Sequence, residues 1–179
     1  MNTVDLFTLN YKSDTYLSLK KLVQSLLPIE SNININGSQG TGKSTWAHFI
    51  FQKSGLNTDF CKIDIKELDE EKFKSTLEEN QFRHILLENV EYLHKDNQAV
   101  LAQYIQSRSI HLKLVIITTS KRSLSDLARE GLLRQDLYYK LSVFNLNLPD
   151  LKQVKADIST FADHYIKIFS INYKRPSLS

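Results

Sequence analysis

The sequence predicts an α/β domain built on a five-stranded parallel sheet with crossover helices on both faces. Short apolar or alternating segments typical of strands recur along the 179 residues, and segments with helical spacing lie between them. Strands that alternate with helices form parallel sheets, because each helix returns the chain to the starting edge. Hydrophobic residues make up 41% of the chain and charged residues 24%, as expected for a globular domain with a core.

The predicted elements alternate along the whole chain. Asp14 is the expected cap of a first helix, which carries leucines at helical spacing and ends before Pro28. The predicted strands are residues 32–35, 60–64, 84–90, 112–120 and 142–148. A further helix contains Trp46 and Ile50, and the remaining predicted helices are residues 68–80, 97–108, 123–133, 134–141 and 150–170.

A glycine-rich loop follows the first predicted strand. Gly37, Gly42, Lys43 and Ser44 satisfy the pattern G-x-x-x-x-G-K-[ST], which a surface loop matches by chance in about one chain in a hundred or fewer. Glycines let backbone amides converge on an anion, and the following helix directs its positive end to the same place. Lys43 is expected to reach the β and γ phosphates, and the Ser44 hydroxyl to bind Mg²⁺. The predicted ligands are ATP and Mg²⁺, and the predicted binding residues are Gly37, Ser38, Gln39, Gly40, Thr41, Gly42, Lys43, Ser44 and Thr45.

An acidic residue at the end of a neighbouring buried strand is expected to complete a phosphate site. The segment ILLEN at residues 85–89 is the candidate, with Glu88 as the carboxylate that holds the magnesium ion and Asn89 directly after it. The alternative is a polar pair that only ends a strand.

Three segments resemble one protein family. They are the loop GSQGTGKS, the segment ILLENVEYLHKDNQAVLAQYIQ, and GLLRQDLYYKLSVFNLNLPDLKQVKADI at residues 131–158, which is similar to the family's G-x-F-R-x-D-L-Y-Y-R-L … L-P-P-L-R-x-R-x-x-D-I. Over residues 17–170 the chain resembles the sigma-54 interaction domain, the central AAA+ ATPase domain of bacterial enhancer-binding transcription activators. The resemblance implies a P-loop AAA+ three-layer α/β/α fold with sheet order 5-1-4-3-2 in residues 1–149 and a remnant of a helical lid in residues 150–179. It also implies self-association into a ring or dimer.

The resemblance assigns roles to individual residues. Arg134 takes the place of an arginine finger that reaches the neighbouring subunit's nucleotide, and the alternative is an exposed helix charge. Lys140 replaces a second arginine, and a lysine cannot bind phosphate oxygens as a fork. Thr119 or Ser120 stands at the position of a polar sensor of the γ-phosphate.

Departures from the family pattern predict weak hydrolysis or none. The catalytic candidates are Glu88, Asn89 and Arg134, but Asn89 stands where the family has the glutamate that polarises water. Losing a general base costs about a hundredfold to ten-thousandfold in rate. Glu91 is a substitute only if the strand continues to it. The interval at residues 66–83 lacks the family's GAFTGA signature, so we expect no sigma-contacting loop.

The remaining features narrow the class of protein. The chain ends at Ser179, before the position of the family's full lid and helix-turn-helix, so we expect a truncated member without direct DNA binding. A single cysteine, the absence of a signal segment and the absence of a long apolar run predict a cytoplasmic protein without membrane contact. The predicted function is an ATP-binding regulatory or assembly module with a protein partner. The alternatives are an active ATPase linked to transcription regulation, a replication-initiator-like AAA+ adaptor, and a scaffold that has lost its ligand.

Overall fold

Five parallel strands form one sheet. The computed structural model describes residues 5–55, 60–79, 82–109 and 114–173. The strand order is β2-β3-β4-β1-β5, which is the predicted order read from the other edge, so the predicted fold class is confirmed. The strands are β1 (Ile33–Asn36), β2 (Phe60–Asp64), β3 (His84–Glu88), β4 (Val115–Ser120) and β5 (Phe144–Asn147).

Helices connect the strands and cover both faces of the sheet. Ser13, not Asp14, caps the first helix: the Ser13 hydroxyl accepts a hydrogen bond from the backbone N–H of Tyr16 at 3.3 Å. No helix within the described ranges combines the length and the apolar character needed to cross a bilayer. The helices are α1 (Asp14–Leu26), α2 (Lys43–Lys53), α3 (Glu70–Glu79), α4 (Lys95–Ser109), α5 (Leu124–Arg129), α6 (Gln135–Leu141) and α7 (Ile158–Tyr173).

The sheet separates two hydrophobic clusters, because successive residues of a strand point to opposite faces. Leu86 of β3 packs with Phe49 and Ile50 of α2 on one face. Its neighbours Ile85 and Leu87 pack on the other face, in a cluster that includes residues of α3, α4 and α6. The sheet is therefore buried on both sides, which explains why β3 and β4 read as continuous apolar runs.

The predicted strand at residues 84–90 is two residues too long. β3 ends at Glu88, and Asn89 adopts a left-handed conformation with φ of 61°. Asparagine tolerates this region better than most residues do. The backbone N–H of Asn89 donates to the Thr119 hydroxyl at 3.2 Å, and one 3-10 helix, Val90–Tyr92, follows. The start of the predicted strand at residues 112–120 lies partly outside the described residues, and β4 begins at Val115.

A buried carboxylate joins the C-terminal segment to the start of α1. Asp157, at the end of a 3-10 helix before α7, has no exposed surface. Its carboxylate accepts hydrogen bonds from the backbone N–H groups of Lys12 and of Ser13, the latter at 3.2 Å. Phe161 of α7 packs edge-on against Tyr16, with 5.2 Å between the ring centroids, and burial raises the pKa of Tyr16 to about 12. The first turn of α7 is thus held on the α1 side of the sheet.

Replacing Asp157 with alanine is expected to lower the free energy of unfolding by about 1–3 kcal/mol. The change removes the buried acceptor of two backbone N–H groups. Urea unfolding followed by circular dichroism measures the effect. Asp163→Ala, at an exposed position of α7, is the matched control and is expected to stay within about 0.5 kcal/mol of the parent. Equal stability of the two variants would contradict this prediction.

Candidate functional site

The glycine-rich loop lies at the carboxyl edge of the sheet, between the ends of β4 and β5. The backbone N–H of Gly37 donates to the carbonyl of Ser120 at 3.2 Å, and the N–H of Leu148 donates to the carbonyl of Asn36 at 2.8 Å. These two bonds attach the start of the loop to both neighbouring strands. Ligands of open parallel sheets bind at this edge, so the loop occupies the expected location.

The shape of the loop requires glycine at its first position. A Cβ added to Gly37 would lie 2.8 Å from the Thr41 hydroxyl oxygen and 2.9 Å from the Leu148 carbonyl oxygen. The carbonyl belongs to backbone that cannot move aside cheaply. Gly42, with φ of 86°, is the residue directly before α2 and also requires a left-handed backbone. A close main-chain turn opening onto a helix N-terminus is suited to an anion.

Lys43 reaches back across the loop. Its Nζ donates to the carbonyls of Gly37 at 2.7 Å and Ser38 at 2.8 Å. Burial lowers the pKa of Lys43, while the charge of Glu91 raises it. The ammonium therefore lies over the loop, where phosphate oxygens can replace the two carbonyls as acceptors.

The other predicted loop residues divide into exposed and packed positions. Ser38, Gln39, Gly40 and Ser44 are exposed to solvent. Thr41 is buried, and its hydroxyl donates to the Ser38 carbonyl at 2.9 Å. The Ser38 side chain forms a hydrogen bond that lowers the pKa of Asp150, in the segment after β5. Thr45 is half-buried and lines a cavity beside the loop.

Glu88 ends β3 on the same side of the sheet as α2. It is 4% exposed, and its Oε2 lies 2.8 Å from the Nζ of Lys62 on β2. Among the described residues, no group donates a hydrogen bond to the buried Oε1. The carboxylate thus has one oxygen suited to a hydrated Mg²⁺ ion, but Lys62 competes for the same charge. The sequence analysis missed Lys62, because only the parallel register brings it beside Glu88.

Asn89 directs its side chain to the neighbouring strand. Its Nδ2 donates to Asp64 Oδ1 at 2.8 Å, and the register pairs Asp64 with Glu88. Of the two sensor candidates, Thr119 accepts the backbone N–H of Asn89. The Ser120 hydroxyl donates instead to the buried Asn34 at 3.3 Å. Thr119 is therefore the candidate that contacts the acidic strand end.

Arg134 lies on the surface at the start of α6 and has no partner from the loop among its described contacts. Its guanidinium forms a fork with the carboxylate of Asp136, at 3.0 and 2.9 Å, and its side chain is 48% exposed. Its backbone N–H donates to Gln98 at 2.9 Å. Gln98 is buried and also donates to the carbonyls of Leu93 and Leu132, so it fixes the position of this turn. The sequence analysis missed Gln98, which resembles any polar residue of a helix.

An apolar cavity of about 280 Å³ adjoins the loop. Trp46 and the loop glycines Gly40 and Gly42 line one side of it. His164 also lines it, and burial lowers the pKa of this imidazole, which favours the neutral form. A flat, mostly apolar group such as a nucleobase suits a cavity of this kind. Three chain segments distant in sequence meet here, and the N-terminal and C-terminal ones supply Leu6, Leu9, Tyr16, Leu151, Ile158, Phe161, Ala162 and Tyr165.

Comparison with known proteins identifies similar sequences. The family model described as "Sigma-54 interaction domain" matches residues 12–151. The nitrogen fixation protein VnfA of Azotobacter vinelandii is 28% identical over 88% of this chain, and the transcriptional regulatory protein FlbD of Caulobacter vibrioides is 27% identical over 84%. The chain spans only 36% and 39% of the lengths of these two relatives.

Solved structures share the fold. The crystal structure of NtrX from Brucella abortus in complex with ATP aligns with a TM-score of 0.77 and 23% identity, over 91% of this chain and 43% of NtrX. At this identity, the likeness extends to the fold alone. Together with the matched family, it confirms the resemblance predicted from the three sequence segments.

Replacing Gly37 with alanine is expected to weaken ATP binding by at least roughly tenfold, which corresponds to ~1.4 kcal/mol. The added methyl group displaces the loop from Leu148 and from the Lys43 ammonium. Isothermal titration calorimetry with Mg-ATP measures the affinity. Gly55→Ala is the control, because Gly55 also has a positive φ, of 71°, but lies outside the loop, and no described atom is within 4 Å of an added Cβ. Equal affinities of the two variants would count against a phosphate site at Gly37.

Proposed function

This chain belongs to the sigma-54 interaction domain family, and we propose that it binds ATP with Mg²⁺ and uses nucleotide occupancy to control protein association. Turnover of the nucleotide is slow or absent. The partner is a second copy of the chain or another protein of the transcription machinery. Because the chain spans about two fifths of its curated relatives, the proposal concerns this module and not the activities of the longer proteins.

The observation that carries the proposal is the position of Lys43 over the loop. Its ammonium lies within 2.8 Å of two loop carbonyls, in a loop whose first glycine, Gly37, has no room for a side chain. On binding, Lys43 exchanges these carbonyls for phosphate oxygens, which are stronger acceptors because they are charged. The amides at the start of α2 and the helix dipole add to the attraction.

The residues present fit a magnesium ion at the same edge. Ser44 is exposed in the first turn of α2, and Glu88 has one buried oxygen that accepts no hydrogen bond from the described residues. These two side chains would hold the ion, Glu88 through water. Bound magnesium neutralises phosphate charge. The ion pair between Glu88 and Lys62 supports weaker metal binding than an unpaired carboxylate would give.

The apolar cavity links nucleotide occupancy to the C-terminal segment. A base placed there contacts Trp46 of α2 and Phe161 of α7, so occupancy stabilises the docking of α7 beside the loop. The outer face of α7 exposes Ile166 and Phe169, which are 46% and 54% accessible. We assign residues 150–179 to the region of the family's helical lid, and this apolar face is where a partner senses the nucleotide.

Slow hydrolysis follows from the side chains at the end of β3. An amide cannot accept a proton from water, and the amide of Asn89 is already bonded to Asp64. The segment between β2 and β3 carries α3 and no GAFTGA sequence. Both features support a regulatory module without the family's sigma-contacting loop.

Replacing Lys43 with alanine is expected to weaken ATP binding by at least roughly tenfold, since charge-assisted hydrogen bonds contribute ~1.5–3 kcal/mol each. Trp46 is the only tryptophan in the chain and lines the cavity, so its fluorescence reports binding directly. Mg-ATP should also raise the melting temperature of the parent protein by mass action. Lys21→Ala, on the exposed side of α1, is the control that keeps full affinity. Unchanged affinity of the Lys43 variant would remove the proposed function.

Replacing Arg134 with alanine is expected to abolish nucleotide-dependent self-association while leaving ATP binding by the monomer unchanged. The guanidinium is exposed and, among the described residues, pairs with Asp136 of its own helix turn, which supports a role across a subunit boundary. Sedimentation velocity with and without Mg-ATP measures the assembly, and Arg108→Ala on α4 is the matched control. Assembly that is equal in the parent and both variants would exclude Arg134 as the contact.

A further inference from the structure

The turn after β3 keeps Glu91 at the carboxyl edge of the sheet. The sequence predicted that Glu91 substitutes for the missing catalytic glutamate only if β3 continues to it. The strand ends at Glu88, however, and a 3-10 helix follows. The backbone N–H of Tyr92 donates to the Asn89 carbonyl at 3.0 Å, and the turn packs against β4. Val90 is buried and anchors the turn. The chain therefore stays beside the carboxyl ends of β3 and β4 instead of leaving the sheet.

The carboxylate of Glu91 is buried and lacks hydrogen bonds. Neither Oε1 nor Oε2 has appreciable exposed surface, and neither accepts a hydrogen bond from any described residue. Burying a carboxylate without such partners is costly, because its charge loses hydration without compensation. Such groups are rare in native proteins, and a catalytic role or a bound water or ion is among the explanations for them.

Glu91 lies at the same edge of the sheet as the phosphate loop. The turn that carries it packs against β4, and the loop is bonded to the end of β4 through the Gly37 N–H and the Ser120 carbonyl. Burial lowers the pKa of Lys43, and the charge of Glu91 acts in the opposite direction. The Lys43 ammonium lies over Gly37 and Ser38, where the terminal phosphate of a bound nucleotide is expected.

The other side chains at this edge are already committed. Glu88 has Lys62 at 2.8 Å and one oxygen left, which the proposed function assigns to magnesium. Asp64 Oδ1 accepts from Asn89 and from the backbone N–H of Lys66. Glu91 is the carboxylate with both buried oxygens open among the described residues.

We infer that Glu91 is the general base of a slow ATP hydrolysis at this site, in place of the glutamate that Asn89 replaces. The inference rests on the proposed function. A Glu91 carboxylate oxygen accepts a proton from a water molecule as the water oxygen forms a bond to the γ-phosphorus. The bond between the γ-phosphorus and the bridging oxygen breaks, and its electron pair leaves with ADP. Glu91 then returns the proton to solvent or phosphate.

The test compares Glu91→Gln with the parent under single-turnover conditions, with protein in excess over γ-labelled ATP and Mg²⁺. The expected result is a loss of phosphate release by at least about a hundredfold, with unchanged ATP affinity by Trp46 fluorescence. Without nucleotide, the variant should melt at the same or a higher temperature, since it removes a buried charge without hydrogen bonds. Glu71→Gln, exposed on α3, is the matched control and should leave all three readouts unchanged.

Each contrary result has a distinct meaning. Parent protein that binds ATP but releases no phosphate overturns the inference and leaves the proposed function standing. Phosphate release that is equal in Glu91→Gln and the parent also overturns it. A variant that loses ATP affinity shows that Glu91 supports binding and is not the base. Parent protein that fails to bind ATP refutes the proposed function itself.

Discussion

The glycine-rich loop at the carboxyl edge of the sheet depends on one contact, the close approach of the Gly37 backbone to Leu148. Only hydrogen fits between Gly37 and the Leu148 carbonyl, and the adjacent N–H of Leu148 donates to Asn36. The loop is thereby packed against the segment that follows β5, at a fixed distance from α2. Lys43 then meets the two loop carbonyls that define its position. In the proposed function, phosphate is bound mainly by the main chain of the loop, with the Lys43 side chain added.

At the carboxyl edge of the sheet, a separate contact holds each polar side chain at the end of β3. Lys62 partly neutralises Glu88, and Asp64 occupies the amide of Asn89. The left-handed conformation of Asn89 ends β3 and starts the turn that carries Glu91. The proposed nucleotide binding and the inferred proton transfer therefore depend on different parts of the structure: the first on a loop between β1 and α2, the second on a turn after β3.

One buried carboxylate, that of Asp157, attaches the C-terminal segment to the start of α1. Asp157 accepts backbone hydrogen bonds from the residues that precede α1. These bonds hold the start of α7 in place, so that Phe161 of α7 packs against Tyr16 of α1. The apolar cavity beside the loop is built from this arrangement. In the proposed function, these packed side chains transmit a change in nucleotide occupancy to the exposed face of α7.

Sequence patterns were sufficient for the sheet and the loop, and the family resemblance supplied the strand order. Helical and strand periodicities are local, and the spacing from Gly37 to Ser44 encodes a turn and a helix start within eight positions of the chain. The pair of Lys62 with Glu88, the contact of Asn89 with Asp64 and the apolar cavity could not be read in this way. They arise where strand register and helix docking bring together residues far apart in the chain. Electrostatic and packing interactions depend on distance in space, and no linear pattern specifies that distance before the chain has folded.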